Sequence, residues 1–229
     1  MTVTRYALQA AGIKGSGEYQ EVVSPYTGEV IAEVEQADDA AVEAGLVQAE
    51  ETFKAGVLPP YQRADILHNL AAQMKDRHEE LSLTIAQEGG KPLKDARVEV
   101  TRAVNTVRLS AEEATQIDGE QQAMGGTAGN ENKITLTLRE PIGVVSSISA
   151  FNHPVNLIAH QVAPPLAAGN SVVLKPSGDT PISALNTFAI RFVRAGSLNA
   201  TGVYSSLTAT SGILSLGIPA ASAKFLVIR

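Results

Sequence analysis

The sequence predicts an α/β fold organised around a parallel sheet. Three observations carry that prediction. The stretches "IGVVSSISA" (142–150) and "SVVLKP" (171–176) are nearly continuous runs of apolar and small residues, as expected of buried strands. Each is followed by a helical pattern, "PVNLIAHQVAPPLAAGN" and then "TPISALNTFAIRFVRAG". The joints are short, so strand, helix, strand and helix form a βαβα unit with parallel strands flanked by helices.

The elements before this unit read in order. "YQEVVSPYTGEVIAE" (19–33) gives two short strands around a turn, with Pro25 early in the turn and Gly28 supplying a permissive φ. From Asp38 to Ala55 the pattern is helical, with Ala41, Ala44, Ala49 and Phe53 at roughly helical spacing. "LPPYQRADILHNLAAQMKDR" opens on prolines that suit a helix start and repeats Ala64, Leu67, Ala71 and Met74 on one face. "HEELSLTIAQEGGKP" is a further helix closed by Gly89 and Gly90, and Pro92 opens another carrying Ala96, Val100, Ala103, Val107 and Ala114. The Glu and Lys residues of these helices read as solvated faces. "MGGTAGNEN" is an exposed loop, and "KITLTLREP" alternates as a half-solvated strand does.

Composition narrows the function classes. The chain has 229 residues, 44% hydrophobic and 18% charged, enough for one large domain or two small ones. A net charge of -6, no long Lys/Arg block and 4% aromatics argue against a nucleic-acid partner. No apolar run reaches the length of a membrane span. The start "MTVTRYALQAAGIKGSG" lacks the apolar region of a signal peptide, so a cytoplasmic location is expected. There is no cysteine, which removes disulfides, thiolate metal sites and a thiolate nucleophile from this chain.

A βαβ unit places its ligand at the carboxyl ends of its strands, here near Ala150–His153 and Lys175–Gly178. The glycine clusters at 15–17 and 125–129 do not follow a strand and open a helix, so they read as loops. His153 and His160 stand about two helical turns apart with no carboxylate joining them, so no metal site is expected. Local sequence alone reads Asn152 as a polar residue that caps the helix beginning at Pro154.

"REPIGVVSSISAFNHPVNLIAHQVAPPLAAGNSVVLKPSGDTP" resembles the aldehyde dehydrogenase superfamily, as do the earlier pieces "SPYTGEVIAEV", "QRADILHNLA" and "EGGKPLKDARVEV". The likeness runs from about residue 20 to Gly196, in the family's order. It implies an incomplete Rossmann-like cofactor domain of the aldehyde dehydrogenase fold. N-terminal helices precede it, and a protruding oligomerisation strand at about 121–141 makes a homo-oligomer, dimer or tetramer, the expected assembly. The implied activity is oxidation of a small aldehyde to a carboxylic acid with NAD or NADP. By resemblance Asn152 is the residue whose side-chain amide holds the oxyanion formed when a cysteine thiolate attacks the aldehyde. An amide suits that task because it donates without a titratable charge, and losing such a donor costs about 2.7–4 kcal/mol of transition-state stabilisation.

The same resemblance assigns cofactor contacts. Ile148, Ser149, Ala150 and Phe151 match the segment that lines the cofactor. Lys175, with Pro176 and Ser177 after it, matches the lysine that bonds the adenosine ribose. Many family members carry a glutamate three residues beyond this lysine; this chain has Gly178. Without that carboxylate a 2′-phosphate meets no repulsion, so NADP is tolerated. Asp179 restores part of the repulsion, which leaves the choice between NAD and NADP open. His153 shapes the substrate mouth in this reading.

Family chains are about twice this long, and their second glycine motif, base glutamate and nucleophilic cysteine follow the segment matched here. The expected division is therefore a truncated NAD(P)-binding domain at 1–196 and a tail at 197–229 outside the family pattern. Codon arithmetic offers an origin: one base deleted from a Gly-Leu-Pro reading yields Gly-Ser-Leu-Asn-Ala-Thr-Gly-Val, the residues at 196–203. A gene fragment and a divergent natural end are the alternatives. The chain alone is expected to be inactive, leaving a nucleotide-binding or assembly-only product of the same ancestry as the alternative function. Two strands leave a sheet edge uncovered, which the apolar run Ile213–Ile218 and "KFLVIR" would cover or use for association.

Overall fold

The computed structural model describes residues 3–8, 10, 12–188 and 214–215. An N-terminal three-stranded sheet comes first. Strand β1 (Thr4–Tyr6) runs parallel to β3 (Val30–Glu35), and β2 (Tyr19–Val23) pairs antiparallel on its other side. The turn between β2 and β3 closes with Gly28 N donating to Ser24 O at 2.8 Å; Gly28 takes a φ of 72°, which a side chain would strain.

Four helices follow: α1 (Asp39–Ala55), α2 (Pro60–Asp76), α3 (His78–Gly89) and α4 (Leu93–Glu113). Asp38 caps α1 by accepting from Ala41 N at 2.8 Å, and Pro60 opens α2 where an N–H is not needed. The expected faces of α2 and α4 are buried, with Leu67, Met74, Val100 and Val107 in the core. On α1 the buried face runs through Ala41, Gly45 and Ala49, a strict four-residue repeat, and Ala44 is exposed. The apolar spacing there is loose because alanines stand on several faces, so sequence alone placed Ala41 and Ala49 correctly but took Ala44 in place of Gly45.

A two-stranded ribbon follows, β4 (Gln121–Ala123) antiparallel to β5 (Ile134–Leu136), with the glycine-rich stretch as an exposed loop between them. Both strands are exposed throughout, so the alternation in "KITLTLREP" does not mark a face buried within this chain.

The βαβα unit forms as expected. Strand β6 (Val144–Ile148) leads into α5 (Pro154–Ala167), then β7 (Ser171–Lys175) and α6 (Pro181–Phe188). Strands β6 and β7 are parallel, from Val144 opposite Ser171 to Ile148 opposite Lys175. Val172, Leu174, Ile158 and Leu185 join the core that α2, α3 and α4 build. Strand β7 is buried along its apolar length, but β6 is not buried on both faces: Ser146 and Ile148 are exposed. It is the outer strand of this sheet among the described residues, so one of its edges has no neighbour. On the far side, Leu214 and Ser215 form β8 and pair antiparallel with Leu174 and Val173. Part of the tail thus lies along the β7 edge. Other expectations for the tail, including "KFLVIR" and the helix end at 189–196, lie outside the described residues.

Candidate functional site

The carboxyl ends of β6 and β7 meet where the sequence places the site. Ile148 stands opposite Lys175, and Ser149 N donates to Lys175 O at 3.0 Å, carrying the pairing one residue past the strand. Gln161 Nε2, from α5, donates to Ile148 O at 3.0 Å and steadies the strand end. Ser149 is buried, while Ile148 is 69% exposed and Phe151 59%, so apolar surface is presented beside the strand ends. The Lys175 ammonium lies 3.5 Å from Pro176 O in a half-buried setting. Pro176 is buried, and Ser177 Oγ accepts from Asp179 N at 3.3 Å, turning the chain through Gly178 towards α6. Ile148–Phe151 and Lys175–Gly178 are therefore neighbours in space, brought together by the parallel register.

Asn152 does not cap α5. Its side chain is exposed, and its amide makes no hydrogen bond among the described residues. The cap comes from another helix: Glu99 Oε1 on α4 accepts from Val155 N at 2.9 Å and from Asn156 N at 3.2 Å. A carboxylate at a helix N-terminus satisfies orphan donors and meets the positive end of the helix dipole. Lys91 pairs with the other carboxylate oxygen of Glu99 and donates to Asn152 O at 2.6 Å. His153 Nδ1 lies 3.1 Å from Lys91 Nζ and 3.3 Å from Glu99 Oε2. The backbone at Asn152 is thus fixed from below while its amide faces outward.

The second helix of the unit is held in the same way. Glu88, at the end of α3, accepts from Ile182 N, from Ser183 N at 2.8 Å and from Ser183 Oγ at 2.6 Å. Burial pushes its carboxyl up to about 7, against the lowering effect of those hydrogen bonds. Both helices of the βαβα unit therefore take their N-terminal caps from buried glutamates of the N-terminal helices. Glu88 and Glu99 are not the solvated helix residues that sequence suggested, and Lys91, between α3 and α4, pairs with Glu99. A signal was present: Glu99 sits between Ala96, Val100 and Ala103 on the apolar stripe of α4, and Glu88 continues the row of Leu81 and Ile85. An acid within an apolar stripe requires a buried partner.

The two histidines diverge. His153 faces the Lys91–Glu99 pair, and His160 Nε2 lies 3.3 Å from Thr106 Oγ1 on α4. Beside His153 a cavity of about 520 Å³ is lined by Lys91, Asp95, Glu99 and Arg102, among others. The Arg102 guanidinium has no hydrogen-bond or ion-pair partner among the described residues, and Lys91 already neutralises Glu99.

The model of the aldehyde dehydrogenase family matches residues 13–208. The chain belongs to the aldehyde dehydrogenase family. Among curated relatives, 3-sulfolactaldehyde dehydrogenase of Priestia aryabhattai is 40% identical over 184 residues, covering 80% of this chain and 38% of the relative. Among solved structures, aldehyde dehydrogenase 21 from Physcomitrella patens in complex with the reaction product succinate superposes with a TM-score of 0.77. It is 36% identical, over 82% of this chain and 40% of that one. The NADP-dependent glyceraldehyde-3-phosphate dehydrogenase from Bacillus halodurans, complexed with NADP, gives a TM-score of 0.75 at 30% identity, over 81% and 40% of the two chains. This aldehyde dehydrogenase chain thus spans about two fifths of the length of the relatives it matches. Its parallel strands and flanking helices are part of a Rossmann-like α/β domain.

Proposed function

We propose that this chain carries the opening part of the cofactor domain of an NAD(P)-dependent aldehyde dehydrogenase, which oxidises an aldehyde to a carboxylic acid. The single observation that supports this best is the in-register meeting of Ile148 with Lys175 at the strand ends, four residues before an outward-facing Asn152. The residues fit an adenine dinucleotide. Lys175 offers a cation to the ribose end. Ser177 and Gly178 leave that end open: a Cβ built on Gly178 meets only Gln20 Nε2, at 3.8 Å. Ile148, Ser149, Ala150 and Phe151 offer an apolar wall, and Pro176 fixes the turn. A dinucleotide held there would supply the hydride acceptor for oxidation at the substrate carbon.

Asn152 in this reading would donate its side-chain N–H to the substrate oxygen when a cysteine thiolate from outside these 229 residues bonds to the carbonyl carbon and the C=O electron pair moves onto that oxygen. The Lys91–Glu99 pair keeps its backbone in place. NADP is accepted because no carboxylate stands at position 178. The substrate mouth is the cavity beside His153.

The thiolate nucleophile has no counterpart in these 229 residues, which contain no cysteine. That observation favours a second reading, a nucleotide-binding or assembly-only chain, for the protein acting alone. We assign 1–196 to the cofactor domain with its ribbon at 121–141, and 197–229 to a tail encoded out of frame, although the family match runs on to residue 208 and so takes in the first twelve residues of that tail. Family-like sequence in the shifted frame of the gene is the expected result; its absence removes the frameshift. Titration of the purified chain with NADP and NAD, paired with an aldehyde assay, tests the function. Saturable binding without turnover is expected. Turnover free of host enzymes would overturn the claim of inactivity, and absence of nucleotide binding would overturn the cofactor assignment.

A further inference from the structure

Gln20 lies on β2, far in sequence from the strand ends of the βαβα unit, yet its side chain reaches the loop after β7. A Cβ added to Gly178 would have Gln20 Nε2 as its nearest neighbour, at 3.8 Å. The space at position 178 therefore borders this amide. Gln20 is exposed, and its amide makes no hydrogen bond among the described residues. The approach is built into the fold. The end of α3 ties the two regions together: Pro25, just after β2, abuts Gly90, Gly89 lies against Thr180, and Glu88 caps α6.

We infer that Gln20 is a specificity-determining residue, reading the 2′ position of the adenosine ribose of a bound dinucleotide. This rests on the reading of Lys175 and Gly178 as the ribose end of the cofactor site. A carboxylate at position 178 would accept hydrogen bonds from ribose hydroxyls and repel a 2′-phosphate. Here that place holds no side chain of its own, and an uncharged amide from another element borders it. The amide NH2 donates to phosphate oxygens, and its carbonyl oxygen accepts from a hydroxyl, so one group serves both forms of the nucleotide. Lys175 supplies the positive charge that favours the phosphorylated form, and Asp179 is the opposing acid in the same loop. The balance is therefore set by the charge at position 20, which the sequence around the lysine does not reveal.

The matched probes are 5′-AMP and adenosine 2′,5′-bisphosphate, which differ only by the 2′-phosphate, titrated calorimetrically into the full chain. Gln20→Glu is expected to weaken the bisphosphate roughly tenfold while leaving 5′-AMP nearly unchanged, because a carboxylate now faces the phosphate. Gln20→Lys is expected to strengthen the bisphosphate selectively, and keeps the test open if the Glu variant does not fold. If both variants alter the two probes equally, or alter neither, Gln20 does not read the 2′ position and the nucleotide site stands. If the wild-type chain binds neither probe, the nucleotide reading falls and this inference with it.

Discussion

The Lys91 ammonium donates to the backbone carbonyl of Asn152 across 61 residues of sequence, at 2.6 Å. The same ammonium neutralises Glu99, whose side chain is 1% exposed and whose other oxygen caps α5. Three jobs thus fall on one buried ion pair: charge compensation, helix capping and placement of the Asn152 backbone.

The first prediction follows from removing one partner of that pair. Lys91→Met leaves the Glu99 carboxylate buried without its counter-charge, so the loss of stability should be about 3–5 kcal/mol. Glu99→Gln retains an acceptor for Val155 N and should cost less than Lys91→Met. Urea denaturation of the three chains checks the order. Equal stability of wild type and Lys91→Met would show that the pair is not buried in solution.

Glu88 predicts a pH dependence. Its folded-state value of about 7 lies above the ordinary carboxyl value of 4.5, because burial disfavours the charged form. The folded state therefore holds a proton that the unfolded state has released between those values. The contribution to stability is full below pH 4.5 and is lost as pH rises through 7. From pH 5 to pH 8 the loss from this group amounts to roughly 3 kcal/mol at most. Glu88→Gln cannot titrate, so its thermal midpoint should fall less over that interval than that of the wild type. Parallel pH profiles for the two chains would contradict the assignment.

The legibility of this protein in its sequence divides by physical cause. Parallel strands and amphipathic helices write a local period, so β7, α2 and α4 and their buried faces were readable residue by residue. That the carboxyl ends of β6 and β7 meet was readable because strand, helix and strand make the two strands parallel neighbours; the pairing of Ile148 with Lys175 itself was not. The two glutamate caps were not, since each joins residues more than 50 positions apart and local sequence shows only an acid on a helix. Local sequence suited Asn152 to capping for the same reason: its own position fits that role, but a stronger acceptor arrives from α4. The partial exposure of β6 depends on neighbours beyond its own sequence, which a run of apolar residues cannot report.

The β4–β5 ribbon predicts association. Ile134, Leu136 and Leu138 are 62%, 70% and 61% exposed, on a segment with no covering element among the described residues. An alternating apolar row on an open ribbon is a surface for pairing with another copy of the chain. Sedimentation should show a wild-type species larger than the monomer. Ile134→Lys combined with Leu136→Lys should shift it to monomer without loss of helical circular dichroism, because neither side chain is part of the core. A double variant that remains assembled would place the interface elsewhere.

Gly178→Glu tests the ribose end directly. The position tolerates the change: its backbone is not in the left-handed region, and only the flexible end of Gln20 lies within 4 Å of an added Cβ. If the ribose lies at this loop, a glutamate carboxylate at 178 accepts from its hydroxyls and repels a 2′-phosphate. NADP should lose affinity by roughly tenfold relative to NAD, an electrostatic effect that shrinks as salt is added. Titrations of both nucleotides at low and high ionic strength measure it. A preference that does not move on substitution would mean that the nucleotide, wherever it binds, does not place its ribose between Lys175 and Gly178. A shift that survives high salt would point to a steric rather than an electrostatic origin.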